Sequence, residues 1–595
     1  MQITSKELYD SLIHGANHVI LNKEVLNKIN VFPVQDGDTG SNLASMMRTI
    51  IQKSEHNNTV KKTLESIADA ALFGARGNSG IIFAQYFRGL SETIADEADI
   101  SIADYARASK VAAQYAYNAV EKPVEGTIIT IMREWGLALT EEAFGKKSLE
   151  DIFANSLHKI QNALEKTKEQ LPVLKKANVV DSGAKGFTYF CEGVLYYIVN
   201  KNPLDIKIGI EEEDDFEESV QGILHDPIEG ARYCTECLLE NIDGIYLDEI
   251  KKELSQSGNS IVVAGSKRKA RIHIHTNEPA DIFDYLREKG QIVYQKVDDM
   301  YGQEAIVNHR KAEIALVTDS IADLPQEMID EFQIQIVHLD ILWKEVSFLD
   351  KLTIHPARLL ELSKQDKTLP TSSQPSPKHI ENLLDHLSTY YHSIIVMTVS
   401  KELSGTYNNF SNSLKEFKKK DCKISLINTK QNSGAQGLLV KKCAEYIRAG
   451  WSYENIVEQV ESDIGKSKIL VQVRTLDNMI KSGRLSVKAG QLAKKIGMKP
   501  IITLDEEGKG VLDGIAFSIK GSNRKLIHHI KNLIKTKGIE QYNIVHVNNL
   551  EGALELATVM TGIIGFEPDY LTETSSIIAI SAGEGAVAIS YLSKK

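Results

Sequence analysis

The segment Asn30-Val31-Phe32-Pro33-Val34-Gln35-Asp36-Gly37-Asp38-Thr39-Gly40-Ser41-Asn42 gathers carboxylates, glycines and hydroxyls into one turn ahead of an apolar run, Leu43 to Ile50. Asp36 and Asp38 stand two positions apart, so in an irregular turn both carboxylates can converge on hard cations. Such cations prefer oxygen ligands and offset the charge of a polyphosphate. Gly37 and Gly40 let the backbone come close to a ligand. Thr39, Ser41 and Asn42 open a helix whose free N–H groups and dipole favour a bound anion. Magnesium and phosphate binding is the chemistry this mixture suits, against an ordinary Asp/Gly turn with an N-cap. An EF-hand is excluded, because no Asp or Asn follows two residues after Asp38 and Met47 stands where the bidentate Glu belongs.

Three further segments repeat the design of a small polar loop before a buried helix. They are Gly74-Ala75-Arg76-Gly77-Asn78-Ser79-Gly80 ahead of Ile81 to Phe87, Glu125-Gly126-Thr127 ahead of Ile128 to Trp135, and Asp181-Ser182-Gly183-Ala184-Lys185-Gly186 ahead of Phe187 to Val199. Four such entrances are consistent with an all-helical domain that holds a nucleotide at one end of its bundle. Neither a Walker A pattern nor the protein-kinase set is present.

In these four segments and their order, the first part of the chain resembles the DhaL/DAK2 nucleotide-binding domain of dihydroxyacetone kinases and bacterial fatty acid kinases. The resemblance implies a helical barrel whose clustered acidic residues hold two Mg²⁺ ions bridging the phosphates of ATP. Carried over by position, Asp36 and Asp38 are metal ligands and catalytic. Asn30 occupies a third metal-side position that is often acidic in the dihydroxyacetone branch. Thr39, Ser41, Asn42, Ser79, Gly80 and Thr127 fall on the phosphate side, and Asp181 with Gly183 on the nucleoside side.

The length of 595 residues gives about three to four domains. A formal net charge of −11 argues against a general nucleic-acid binder. The N-terminus MQITSKELYDSLIHGANHVI lacks a basic region followed by an apolar core, and no apolar run of about 18 residues appears, so neither export signal nor membrane span is indicated. Five cysteines fit a reduced compartment better than a disulfide framework, and the expected location is cytoplasmic. Seven of the eight residues from Glu211 to Glu218 are acidic, which marks a solvated linker. The expected layout is a kinase domain at 1–203, the linker at 204–220, a middle domain at 221–310 and a third domain at 312–595.

In the middle domain, Ile261 to Ala264 and Arg271 to His275 have the branched residues and two-residue alternation of β-strands, so His273 and His275 point the same way. Tyr233-Cys234-Thr235-Glu236-Cys237 adds two thiols upstream. Cys234 with the two histidines can supply three ligands for a borderline-soft metal such as Zn²⁺, against a buried thiol and two satisfied histidines. YCTE followed by IHIHTNEP resembles the middle domain of the large chains of bacterial fatty acid kinases. That resemblance implies that Cys234, His273 and His275 form a cluster needed for activity, with Zn²⁺ as its candidate ion. Met300 to Gln303 resembles the end of the same domain, although Glu304 stands where a histidine commonly follows.

From Ala312 onwards, Ile314 to Thr318, Ile394 to Val399, Ile424 to Asn428 and Asn543 to Val547 are short apolar strands, each followed by a polar turn and a helix. They predict an α/β domain with a parallel sheet. Hydroxyl-rich turns follow, at places where such folds bind ligands: Thr318-Asp319-Ser320, Thr371-Ser372-Ser373-Gln374-Pro375, Ser400, Leu403-Ser404-Gly405-Thr406-Tyr407 and Ser482-Gly483-Arg484. Helix capping explains Ser320 and Ser404 equally well. With IALVTDSIADLP, LPTSSQPSP, LSGTYNNF, LDNMIKSGRLS and IGMKPII, this region resembles the DegV family. The resemblance implies a two-part α/β fold that binds one fatty acid. Ser372 and Ser404 would bond the carboxylate beside Gly405 and Thr406, with Arg484 lending charge. Near the C-terminus the family usually carries a histidine in an HxGPGA-like turn, whereas this chain has Ser581-Ala582-Gly583-Glu584-Gly585-Ala586. The departure bears on the carboxylate contacts and on ligand choice.

The expectation is therefore a multidomain chain: an all-α helical barrel, a small α/β middle domain and a two-part α/β domain. Its expected function is ATP-dependent phosphorylation of a long-chain fatty acid carboxylate. Expected partners are the fatty acid, a second copy in a homodimer, a membrane surface touched during lipid exchange, and a downstream acyltransferase. Two other readings stay open. One is a kinase of dihydroxyacetone or another small polyol, disfavoured because no segment resembles that family's substrate-binding half. The other is a lipid-binding or sensing protein with a regulatory nucleotide domain.

Overall fold

The computed structural model describes residues 2–31, 37–143, 147–201, 230–242, 247–344, 346–366, 370–417, 421–474, 476, 479–480 and 499–595. The chain forms two compact units, Met1–Tyr301 and Gly302–Lys595.

The first unit begins as a bundle of helices around a shared apolar core. Thr4 and Glu7 form a reciprocal capping box at the start of Ser5–Leu21, and Ser101 with Asp104 does the same for Ile102–Ala119. The helices Ser5–Leu21 and Ser182–Asn200 approach closely enough that a Cβ on Gly193 would meet the His14 carbonyl oxygen at 2.6 Å. Phe83, Phe87, Phe187 and Phe190 stack and cross edge to face in the bundle core, with Phe83 and Phe87 centroids 5.1 Å apart. A two-stranded pairing of Gln2–Thr4 with Asp99–Ser101 supplements the helices.

A four-stranded antiparallel sheet completes this unit, in the order Asn259–Gly265, Lys269–Thr276, Tyr233–Glu240, Gln291–Asp299. Strand alternation divides its residues between two faces. Leu239, Ile261, Val263, Ile272 and Ile274 pack beneath the helices Leu247–Leu254 and Pro279–Lys289. Leu238, Val262 and Ala264, on the opposite face, belong to the core of the helical bundle.

The second unit holds a parallel sheet in the order Lys423–Asn428, Ser393–Thr398, Ile314–Asp319, Gln335–Val337. A three-stranded antiparallel sheet, Val346–Leu349, Asp340–Trp343 and Thr371–Ser373, lies in the same unit. A six-stranded sheet runs Gly510–Ala516, Lys499–Leu504, Ser467–Gln472, Val587–Ser593, Ile539–His546, Leu571–Glu573, with only the last pair parallel.

Two sequence expectations change here. The strand at Asn543 lies in the six-stranded sheet beside an antiparallel neighbour and not in the parallel one. A short apolar run specifies a buried strand but not its partner or direction. Thr371–Ser373 is a strand paired with Asp340–Leu342 and not a turn, its β-branched and hydroxyl residues fitting a pleated surface. Among the described residues, no helix is long and apolar enough to cross a membrane.

Candidate functional site

The four loops singled out by sequence precede the helices Thr39–Lys53, Gly77–Thr93, Ile128–Ala143 and Ser182–Asn200. Their first turns meet. Gly77 has φ +60°, and a Cβ there would lie 2.8 Å from Asn42 Nδ2. Asn42 donates in turn to Asp38 Oδ2 at 2.8 Å. Asp38 makes no capping bond to a backbone N–H of the helix it precedes, its carboxylate being held by the Asn42 side chain within that helix. On the far side, a Cβ on Gly183 would lie 2.6 Å from Ser79 Oγ and 3.3 Å from Asp181 Oδ2. The buried Asp181 carboxylate accepts from the Ala184 N–H at 2.7 Å and also from the Ile128 N–H, tying the starts of two helices together. Burial outweighs these two bonds and pushes Asp181 up to about 7. Each helix leaves N–H groups without intrahelical partners in its first turn, and four such ends in one place are an arrangement that can bind an anion.

Not every predicted side chain faces that space. Ser41 Oγ accepts from Asn27 Nδ2 at 3.0 Å, and Thr127 Oγ1 donates to the Val124 carbonyl at 2.8 Å. Thr39 and Gly80 sit in the first turns of their helices. Asn30 is buried, its N–H bonded to the Asn27 carbonyl at 3.3 Å. Asp36 lies outside the described residues.

Cys234, His273 and His275 come together as the sequence predicts. Cys234 pairs with His275 across the sheet, and the three offer ligand atoms all within 4.8 Å of one another. Cys234 Sγ lies 3.8 Å from His273 Nδ1. Burial, helped by the charge His273 would carry, lowers His275 to about 3 and keeps its imidazole neutral. Burial holds the Cys234 thiol far above its ordinary value, with the negative charges of Glu236, Asp298 and Asp38 in the same direction and Lys296 against them. A thiol with two imidazoles is a donor set suited to zinc.

Sequence reasoning missed Glu236 and Arg271. The same alternation that pairs Cys234 with the histidines places Glu236 next to Cys234, and Arg271 next to His273, on one face, so the signal was available. Glu236 Oε1 accepts from the Gly77 N–H at 2.6 Å, and its Oε2 accepts from Arg271 Nη2 at 2.8 Å. The Arg271 guanidinium, 1% exposed, lies 4.2 Å from the Tyr294 ring centroid. Burial would raise the Glu236 carboxyl, but His273 and Arg271 beside it prevail and hold it below the usual range. One carboxylate thus fastens the Cys/His cluster to the second loop.

In the second unit a cavity partly open to solvent is walled by Leu339, Val399, Ile469, Ile502, Leu504 and Ile577. Ser372, Ser404, Asn432, Thr503 and Ser581 also line it. Ser404 Oγ accepts from the Thr406 N–H at 3.3 Å and lies 2.9 Å from Thr406 Oγ1, a local turn at the helix start that leaves it on the cavity wall. A Cβ on Gly405 would collide with the Gln374 side chain, which joins the Ser404 turn to the Ser372 strand. Ser320 is no helix cap: its hydroxyl donates to Asp350 Oδ2 at 2.7 Å. Ser581 lines the cavity from the helix Ser576–Ala582, while the Glu584 carboxylate is engaged by Lys364 and Asn548. Arg484 lies outside the described residues.

Residues 33–196 match the DAK2 domain, residues 230–307 the FakA-like middle domain of fatty acid kinases, and residues 313–594 the DegV family of uncharacterised proteins. The chain therefore unites a DAK2 domain and a FakA-like middle domain with a DegV domain. An uncharacterised protein of Staphylococcus epidermidis is 30% identical over 347 residues, covering 54% of this chain and 62% of that one. An uncharacterised protein of Staphylococcus aureus is 32% identical over 324 residues, covering 53% and 59%. The match thus spans only 62% and 59% of these two relatives. Among solved structures, a fatty acid binding DegV family protein from Streptococcus agalactiae is 25% identical, with 48% of this chain and 99% of that chain covered and a TM-score of 0.43. DegV, a fatty acid binding protein from Bacillus subtilis, is 24% identical, with 48% and 100% covered and a TM-score of 0.43.

Proposed function

We propose that this chain is an ATP-dependent fatty acid kinase fused to its own acyl carrier. It moves the γ-phosphoryl group of ATP to the carboxylate of a fatty acid held in the second unit, giving an acyl phosphate and ADP. The observation that carries this reading is the meeting of four helix N-termini around Ser79, Asp181 and Gly183, with Asp38 at one side. The combination of DAK2, fatty acid kinase-like middle and DegV domains in one chain agrees with it.

The N–H groups of the four helix starts would bind the phosphates, and Gly183 leaves room between Ser79 and Asp181. Asp38, oriented by Asn42, together with Asp36, would hold Mg²⁺. Bound there, the two Mg²⁺ ions would offset phosphate charge as it develops on transfer. Cys234, His273 and His275 fit a Zn²⁺ ion, and Glu236 would keep that cluster in register with the Gly77 loop.

A fatty acid carboxylate is already ionised at neutral pH, so no general base is needed. One of its oxygens bonds to the γ-phosphorus while the bond from that phosphorus to the bridging oxygen of ADP breaks. Positioning and electrostatics then supply the catalysis. In the second unit, Ser372 and Ser404 would donate to the carboxylate while the aliphatic wall takes the acyl tail.

The test is incubation of the full chain with Mg-ATP and a long-chain fatty acid, with hydroxylamine to trap acyl phosphate as a hydroxamate detected by mass spectrometry. A product absent from Asp38→Ala, with lipid binding retained, supports the kinase. Lipid binding without turnover in the unaltered chain overturns it in favour of a sensor.

A further inference from the structure

Glu236 Oε1 is shared between two parts of the first unit. It accepts from the Gly77 N–H at 2.6 Å and lies 3.6 Å from His273 Nδ1, which is itself 3.8 Å from Cys234 Sγ. The side chains of Glu236 and His273 are both buried, and Glu236 Oε2 is occupied by Arg271 Nη2 at 2.8 Å, which fixes the far side of the carboxylate. The other ring nitrogen, His273 Nε2, is buried with no hydrogen-bond partner among the described residues. Gly77 starts the helix Gly77–Thr93 at φ +60°, a left-handed conformation that glycine adopts without strain. The residue before it gives that helix no side-chain cap, and Glu236 reaches its first N–H from the sheet instead.

A metal ion held by Cys234, His273 and His275 would take one ring nitrogen of His273. On Nε2, it leaves the Nδ1–H to donate to Glu236 Oε1, the carboxylate contact that orients metal-bound imidazoles. On Nδ1, the ion itself comes next to Oε1. In either case the oxygen that holds the Gly77 N–H gains a second fixed partner, and the turn that leads to Ser79 is held more firmly. A turn already set in place loses less freedom when phosphate binds, which strengthens the binding.

We propose that Glu236 is a positioning residue that links the Cys/His cluster to the Gly77 loop, so that metal in the cluster raises the affinity for Mg-nucleotide. This rests on the kinase reading and on zinc as the ion of the cluster, and it names a regulation of that same site. Linkage makes the effect reciprocal: bound nucleotide raises the affinity of the cluster for metal by the same factor.

The test measures Mg-ADP binding to the full chain with and without Zn²⁺, and Zn²⁺ binding with and without Mg-ADP by competition with a fluorescent chelator. Each ligand should tighten the other about tenfold, and zinc should slow hydrogen exchange at Gly77. The double variant Glu236→Leu/Arg271→Met, which removes the carboxylate together with its buried counter-charge, should bind both ligands with no coupling. Glu236→Gln/Arg271→Met keeps an acceptor for the Gly77 N–H and should restore part of it. Independent binding in the unaltered chain overturns the proposal. Coupling that persists in full in the leucine variant also overturns it, by showing that charge acts through space without Glu236. A chain that binds zinc but no nucleotide refutes the kinase reading beneath the proposal, and one that binds nucleotide but no zinc refutes the metal assignment.

Discussion

Asp181→Asn is a sharp test of how the helix starts are held together. The carboxyl is buried and raised from 3.8 to about 7, so the folded chain binds a proton there that the unfolded chain has already lost. Stability from this group is therefore fully present below pH 4 and is lost as pH rises through 7. The whole span corresponds to about 4 kcal/mol, of which roughly 3 kcal/mol falls between pH 5 and pH 8. Asparagine keeps an acceptor for the Ala184 and Ile128 N–H groups but cannot ionise, so the variant should lack this slope. Relative to the unaltered chain it should gain roughly 3 kcal/mol between those two pH values. Because the chain has two compact units, one melting temperature would blend their transitions. Hydrogen exchange in peptides covering Ser182–Asn200, measured at several pH values with correction for intrinsic exchange, isolates the local effect. A stability difference between variant and parent that stays flat from pH 5 to pH 8 would refute the reasoning. It would mean that the two helix starts keep the carboxylate ionised throughout.

Glu236→Gln removes the charge facing a buried guanidinium and should cost about 3–5 kcal/mol locally, seen as faster exchange in Tyr233–Glu240 and at Gly77. Adding Arg271→Met should recover much of that loss, and no recovery would count against the pairing. Gly183→Val should raise the dissociation constant for ATP at least tenfold with unchanged circular dichroism, because its side chain enters the space beside Ser79 and Asp181. Glu584→Gln should leave fatty acid affinity unchanged in a fluorescent-lipid displacement assay, since that carboxylate is held by Lys364 and Asn548.

Local chemistry was legible wherever one element carries it. The four polar loops announce their helices, and the strand alternation of Arg271 to His275 correctly predicts that both histidines share one face of the sheet. What required the fold was pairing between elements. Nothing near Asp181 in sequence indicates that its carboxylate reaches Ile128. Nothing near Glu236 indicates Gly77, 159 positions away. The strand at Asn543 has the same apolar signature as those of the parallel sheet, and only its neighbours assign it to another.

The attachment of Glu236 to the Gly77 N–H has a consequence for taking the chain apart. Similarity to known domains ends near residue 196 and resumes at 230, which invites a cut between them. Yet Leu238, Val262 and Ala264 belong to the same apolar core as the helical bundle, and Gln85 accepts from the Gly265 N–H at 2.8 Å. Such a cut would bare that core to water and strip the Gly77 turn of its anchor. The borders at which these pieces were joined in sequence are not the borders at which they can be separated as folded matter. A minimal fragment carrying the four helix starts should therefore extend through Tyr301.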